Sequence, residues 1–302
     1  MNTSLLNEPA VAEIAPSQPK ERAAVRARQP HNIDWVPATF IIAMHVGAIA
    51  GLFNFNWAAL AVCVVLHWIT GGLGITLCYH RLLTHRSLEV PKPVEYFLTI
   101  CASLACQGGP LTWVATHRLH HAASDQSEDP HSPRDGFFWS HMGWCLHKVT
   151  QMDEKGGKER YAPDIAQDKG LMFFEKTHIL WTFLLGGLLY AMGGWPFVIW
   201  GICVRLVLVY HCTWFVNSAA HVWGYKTYDA KDDSKNLWWV ALVTYGEGWH
   251  NNHHAFQTSA RHGLKWWEFD STYLMIQVLQ LLGLAKSIKM PSEYQLNQKA
   301  AA

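Results

Sequence analysis

Eight histidines fall into three phased clusters, HRLLTH at 80–85, HRLHH at 117–121 and HNNHH at 250–254. In the second cluster His117, His120 and His121 stand at i, i+3 and i+4, and His250, His253 and His254 repeat that spacing in the third. Residues three and four apart lie on one face of a helix, so each triplet turns several imidazoles toward one point. Imidazole suits zinc, copper, iron and nickel. Eight of them, with no cysteine among them, exceed what one tetrahedral zinc holds, and the count predicts two metal ions. The fold must therefore bring together segments as distant in sequence as His85 and His250.

A membrane is the expected setting. Of 302 residues 50% are apolar, 16 are tryptophan and only 16% are charged, against about 25% charged in ordinary soluble domains. A span takes about 20 apolar residues, and four segments qualify: 35–55, 58–79, 177–192 and 197–215. Asn56-Trp57 joins the first pair and Gly193-Gly194-Trp195-Pro196 the second, which makes two tight hairpins. The apolar stretch 94–106 is too brief to span and reads as a re-entrant or surface-lying helix. Lys20, Arg22, Arg26 and Arg28 precede the first span, while the joints carry no cation. By the positive-inside rule, the N-terminus, the 80–176 segment and everything after Asn217 are cytoplasmic, which puts all three clusters on one face. The expected fold is all-α, four transmembrane helices with a cytoplasmic helical cap. It occupies 31–291, between a disordered arm, 1–30, and a disordered tail, 292–302. The run 273–289, with Lys286 and Lys289 at its end, reads as a helix on the cap or on the membrane surface.

Other classes are disfavoured. A net charge of +1 leaves no nucleic-acid footprint. The seven cysteines form no CxxC pair and read as reduced packing residues, and residues 1–34 lack the apolar core of a cleavable signal peptide. No HExxH zinc-protease motif occurs. Glu175–His178 and Glu247–His250 are Glu-x-x-His strings, but further glutamates on facing helices, which a carboxylate-bridged di-iron bundle needs, are missing. His31, His147, His178 and His262 lack spaced partners and read as packing or surface residues. His45, His67 and His211 lie inside spans, where an ionisable group is functional by default. They are the basis for an alternative reading as a membrane cytochrome b, just as the histidine count is for a metal transporter. Arg205, also in a span, has no evident partner, and snorkelling would explain it.

Together HRLLTH, HRLHH and HNNHH resemble the histidine boxes of the integral-membrane fatty-acid desaturases, in particular the stearoyl-CoA type that includes the cyanobacterial acyl-lipid delta-9 enzymes. GIT before the first box, EDPHSP and GFFWSHMGW after the second, NSAAH at 217–221 and GEGWHNNHH at 246–254 extend the likeness over roughly residues 35–290. The resemblance implies two iron ions held by His80, His85, His117, His120, His121, His221, His250, His253 and His254, with Asn217 reaching a metal through water. It implies dioxygen-dependent insertion of a cis double bond, at delta-9, into a C16–C18 chain carried on CoA or within a glycerolipid. Electrons would come from a separate ferredoxin or cytochrome b5, since no HPGG motif is fused to the chain. Trp68 as plug and Gly72 as gap would form the floor of an acyl tunnel, and Trp113 would line its bend. Membrane hydroxylation of alkyl or carotenoid substrates shares the histidine boxes and is the alternative within the same superfamily.

A ligating histidine usually donates its other ring N–H to a carboxylate or carbonyl. Asp125, Glu128, Asp129 and Glu247 stand near enough to the boxes to be such partners.

Overall fold

The computed structural model describes residues 33–301, so the arm 1–30 with its cations lies outside the described residues. Within them the chain is helical, with only isolated bridges and no sheet. Helix α1 (Trp35–Gly51) opens at Asp34, whose carboxylate accepts from Val36 N at 3.3 Å. Asn56 caps the next helix by accepting from Ala59 N at 3.1 Å. That helix, α2 (Trp57–Thr84), is one of two long and apolar enough to cross a bilayer. The other run, Lys169–Val222, contains α5 (Lys169–Val198) and α6 (Arg205–Asn217). It breaks at Gly193 and Gly194, where φ of +66° suits glycine alone. Beyond the break the chain folds back, since a Cβ placed on Gly201 would lie 2.6 Å from Leu189 Cδ1.

All four apolar segments are thus helical, and they pack on one another through small residues, as helices do when lipid supplies no hydrophobic drive. Gly51 meets Val204, and Gly47 meets Cys203. Their outer faces are apolar: Ile42, Val46, Val64, Leu188 and Phe183, the last 73% exposed, point away from the protein. A contiguous exposed surface of this kind marks a membrane or partner contact.

The upper part of α2, Trp68–Thr84, is wound with i→i+5 hydrogen bonds. His85 N reaches His80 O at 3.1 Å, and the Thr84 hydroxyl donates to Tyr79 O at 2.7 Å. Five residues rather than four then nearly complete a turn, a widening that recurs at functional sites. It brings His80 and His85 together with ring centroids 4.8 Å apart.

The cap is built around this segment. Helix α3 (Lys92–Ser103) covers the expected 94–106 stretch and packs on α2 so closely that a Cβ on Gly74 would lie 2.6 Å from Ala102 Cα. Helix α4 (Pro110–Ala123) follows, then several single-turn helices up to Gln167. After α6 come α7 (Trp238–Val243), α8 (His250–Ala255) and α9 (Ser271–Leu281). The largest core cluster joins Leu77, Tyr79, Leu98, Leu119 and Ile276, from α2, α3, α4 and α9.

Two expectations for the C-terminus are corrected. Helix α9 stops at Leu281 rather than running to Lys289, because Gly283 turns left-handed (φ +70°) and residues 286–289 pair with Glu89 and Ser87. The tail expected to be disordered forms α10 (Glu293–Gln298), held by a capping box between Ser292 and Gln295.

Candidate metal centre

The three histidine clusters meet, and they divide into two sets. Ring nitrogens of His80, His85, His117, His121 and His253 lie within 4.8 Å of one another, as do those of His120, His221, His250 and His254. On α4 the i, i+4 pair His117 and His121 turns to the first set, while His120 turns to the second. On α8 His253 joins the first, and His250 and His254 the second. His221 enters from the single turn after α6. Asn217 ends α6 and lines the same cavity as His250.

A helix of six residues such as α8 is not stable alone, and the two asparagines inside HNNHH tie it down. Asn251 Oδ1 accepts from Thr227 N and Tyr228 N at 2.7 and 2.9 Å. Asn252 Nδ2 donates to Glu268 Oε2 at 2.7 Å and to His262 O at 2.8 Å.

Four histidines donate Nδ1–H to a buried carboxylate: His80 to Glu247 (2.7 Å), His120 to Asp129 (3.0 Å), His221 to Asp125 (3.3 Å) and His254 to Asp232 (2.5 Å). Ionised carboxylates only accept, so in each neutral ring Nε2 carries a bare lone pair. These nitrogens face other imidazoles: Nε2 of His120 and His254 stand 3.4 Å apart. His80 and His253 face each other at 3.1 Å, and His221 and His250 at 3.0 Å. Nine buried or half-buried ring nitrogens converging in two sets, each within 4.8 Å and without a cysteine or carboxylate among them, make a donor set that fits two metal ions.

The electrostatics divide the histidines: burial would lower His120, but the Asp129 carboxylate beside it outweighs this and holds it above the ordinary value. Burial, reinforced by neighbouring imidazoles, holds His85, His117, His121, His250 and His253 well below the ordinary histidine value. They are neutral and have no proton to lose before ligation. Burial alone would raise Asp129 and Asp125, but the facing imidazoles outweigh it and keep both carboxyls below their usual range.

Of the expected carboxylate partners, Asp125, Asp129 and Glu247 reach imidazoles. Glu128 does not; its carboxylate takes the Ser127 hydroxyl at 2.7 Å. Asp232 was missed, because it sits in the charge-rich DAKDDSK loop, which reads as solvated surface. His131, 3.6 Å from Asp129, and His262, 3.0 Å from Glu247, are also drawn in from positions with no spaced partner. Glu175 caps α4 instead, accepting from Leu111 N and Thr112 N.

A cavity opens beneath the histidines. Trp113 lines it and stacks on His117, centroids 5.0 Å apart. Trp68 and Gly72 do not line it: Trp68 is 43% exposed, and Gly72 faces Trp68 and Met275. The lining face of α2 is His67, Gly71, Ile75, Thr76 and His80. Trp68 and Gly72 were expected from the resemblance alone; along the i→i+5 segment it is their neighbours His67 and Gly71 that face the cavity.

The intramembrane histidines are corrected too. His45 and His211 are hydrogen-bonded directly, Nε2 to Nε2 at 3.2 Å. With metal–nitrogen bonds of about 2 Å, iron between two opposed ligands needs about 4 Å, so this is no haem pair. His211 continues to His141 at 2.9 Å. Arg205 does not snorkel; fully buried, it donates to Gly201 O and Leu104 O at 2.6 and 2.9 Å and ties α6 to the end of α3.

Comparison with known proteins agrees with this geometry. The family model described as fatty acid desaturase matches residues 55–280. A sn-1 stearoyl-lipid 9-desaturase of Anabaena variabilis is 54% identical over 267 residues, 87% of this chain and 97% of its own length. One of Synechocystis sp. is 51% identical over 88% of this chain and 83% of its own length. A chloroplastic palmitoyl-monogalactosyldiacylglycerol delta-7 desaturase of Arabidopsis thaliana is 45% identical, covering 93% and 76%. With two converging histidine sets above an apolar cavity and a family match across most of the chain, the protein belongs to the fatty acid desaturases.

Proposed function

We propose that the protein is an acyl-lipid delta-9 desaturase, an oxidoreductase that places a cis double bond in a saturated C16–C18 chain esterified in a membrane glycerolipid. The observation that carries this reading is the cavity, which runs continuously from His80, His117 and His250 to His67 and Gly71 along α2. It offers an extended alkyl chain an apolar wall (Ile75, Val209, Val216) beside the histidines. The glycerolipid carrier and the delta-9 position follow the two stearoyl-lipid 9-desaturases reported above.

The donor sets fit two iron ions: His80, His85, His117, His121 and His253 would hold one, and His120, His221, His250 and His254, with Asn217 beside them, would hold the other. Held there, iron supplies the redox chemistry: dioxygen is reduced to two waters by two electrons from the acyl C–H bonds and two from a separate donor. The chain's residues do the rest. Asp125, Asp129, Asp232 and Glu247 keep protons on Nδ1, fixing ring orientation and leaving Nε2 to ligate. Trp113, stacked on His117, walls the alkyl chain against the centre. The apolar lining excludes water and fixes which carbons lie beside the histidines.

The four apolar helices would span the membrane as two hairpins, with the cap and both termini cytoplasmic and a ferredoxin or cytochrome b5 docking on that cap. The test is expression in a host lacking delta-9 activity, with glycerolipid fatty acids profiled for double-bond position. New cis-9 monoenes are expected. A hydroxylated product, or none, overturns the reading.

A further inference from the structure

Along α2, the part of the cavity lining farthest from His80 is a polar pair rather than an apolar wall. His67 Nδ1 and the Tyr245 hydroxyl are hydrogen-bonded at 2.6 Å, with ring centroids 5.8 Å apart. Both residues line the cavity, and His67 stands thirteen positions before His80 on the same helix. Gly71, one turn above His67, provides the slot for the tyrosine: a Cβ there would lie 2.9 Å from Tyr245 Cε2. Cys212 Sγ closes the other side of His67 at 3.9 Å.

Tyr245 is held in place at a cost. Its φ is +59°, a left-handed conformation that side-chain-bearing residues rarely adopt and that persists only when the surroundings enforce it. Thr272 enforces it, donating from N and Oγ1 to Tyr245 O at 3.0 and 2.8 Å. Two residues later the same turn presents Glu247, whose Oε2 takes the His80 proton. One strained turn therefore positions both the end of the cavity and a carboxylate of the metal centre.

We propose that the His67–Tyr245 pair is the floor of the acyl tunnel and determines how long a chain can be seated with its reacting carbons beside the histidines; this rests on the desaturase reading above. A chain that fits ends against the paired rings. A longer one must part this half-buried hydrogen bond and leave both partners against an alkyl chain, where an unsatisfied polar group is disfavoured. The floor thus discriminates by breaking a polar contact as well as by bulk. Trp68, which faces outward, takes no part.

The test uses the full-length chain in a desaturase-deficient host supplied with C16, C18 and C20 saturated acids. The readout is the ratio of C20 to C18 monoenes. Tyr245→Gly removes the ring while suiting the left-handed backbone, and His67→Ala removes its partner; each is expected to raise the ratio roughly tenfold, the scale of one lost buried hydrogen bond. Tyr245→Phe keeps the ring and loses only the hydroxyl, so a smaller rise is expected. His67→Trp fills the floor and should shift product toward C16. Trp68→Ala should leave the ratio as in the unaltered protein. An unchanged ratio in Tyr245→Phe, which keeps the ring, and in His67→Trp, which adds bulk, overturns the proposal even if the smaller variants do not accumulate, and so does a shift caused by Trp68→Ala alone. Absence of any monoene from the unaltered protein would instead refute the desaturase reading.

Discussion

Arg81, which has no exposed surface, donates from Nε at 3.1 Å and from Nη2 at 2.9 Å to a single oxygen of Glu247, Oε1. The second oxygen is left for His80 Nδ1 and His262 Nδ1, at 2.7 and 3.0 Å. Arg81 is itself fixed by Asp270 Oδ2 and Ala260 O. A chain of buried charge therefore runs from Asp270, which caps α9 by accepting from Tyr273 N, to His80 of the first histidine set. Outer partners of this kind are worth about 10–100-fold in metal affinity or activity. Glu247→Gln should lower iron affinity by about that factor with little change in protein yield, as measured by metal retention during dialysis against a chelator. Equal retention in variant and unaltered protein would contradict it.

The two sets predict separable metal losses. His254→Ala removes a member of the second set alone and His85→Ala a member of the first alone. Each should purify with about half the iron of the unaltered protein, measured per chain by elemental analysis, and both should be inactive. A variant that loses all its iron would mean that the sets do not fill independently.

Asp232 contacts His254 as closely as any carboxylate contacts a histidine here. Asp232→Asn keeps the shape but offers only a neutral acceptor, so the imidazole is less firmly oriented and less basic. A fall in kcat of about 10–100-fold is expected, whereas Asp233→Asn, one residue away and bound to Arg134, should stay near the unaltered rate. Similar rates for the two would remove Asp232 from its assigned role.

Asp164 makes an acid-side stability prediction. Burial would raise its carboxyl, but hydrogen bonds from Arg118 and Arg86 outweigh this and hold it at about 2. Its folded value lies below the ordinary one, so its contribution is present above about pH 4 and is lost as pH falls from 4 through 2. Arg118 also donates to Leu83 O and Thr84 O, linking α4 to the end of α2. Asp164→Asn should destabilise the protein by about 2 kcal/mol at pH 7 and flatten the loss between pH 4 and 2 in thermal melts in detergent. A parallel pH dependence in the two proteins would rule it out.

Much of the site was legible because its signals are local. Three- and four-residue spacing put six histidines on helix faces, and Asp125, Asp129 and Glu247 stand beside the boxes, although Glu247 and Asp125 serve His80 and His221 from elsewhere in the chain. Asp232 was not legible, since nothing in a solvated-looking loop says which imidazole it meets. His67 and Gly71 were not legible as cavity residues, because the floor was taken from resemblance as Trp68 and Gly72 and the i→i+5 winding of 68–84 carries no spacing signal in the sequence. His221 and Asn217 came from resemblance, not spacing. The apolar helices followed from hydropathy and from the glycine break at 193–194. The tail's Ser-x-x-Gln capping box was present in the sequence and was overridden by its polar composition.

The interleaving of the two histidine sets has a mechanical consequence. His120 and His121 are bonded neighbours that serve different sets, and so are His253 and His254. Their ring centroids are 5.4 and 5.5 Å apart, nearly equal on the two helices. The gauge between the sets is therefore written twice into covalent structure, one peptide unit on each side, with consecutive Cα atoms about 3.8 Å apart. Breathing of the bundle can tilt or shift the centre as a whole, but it changes that gauge far less than it moves the surrounding helices.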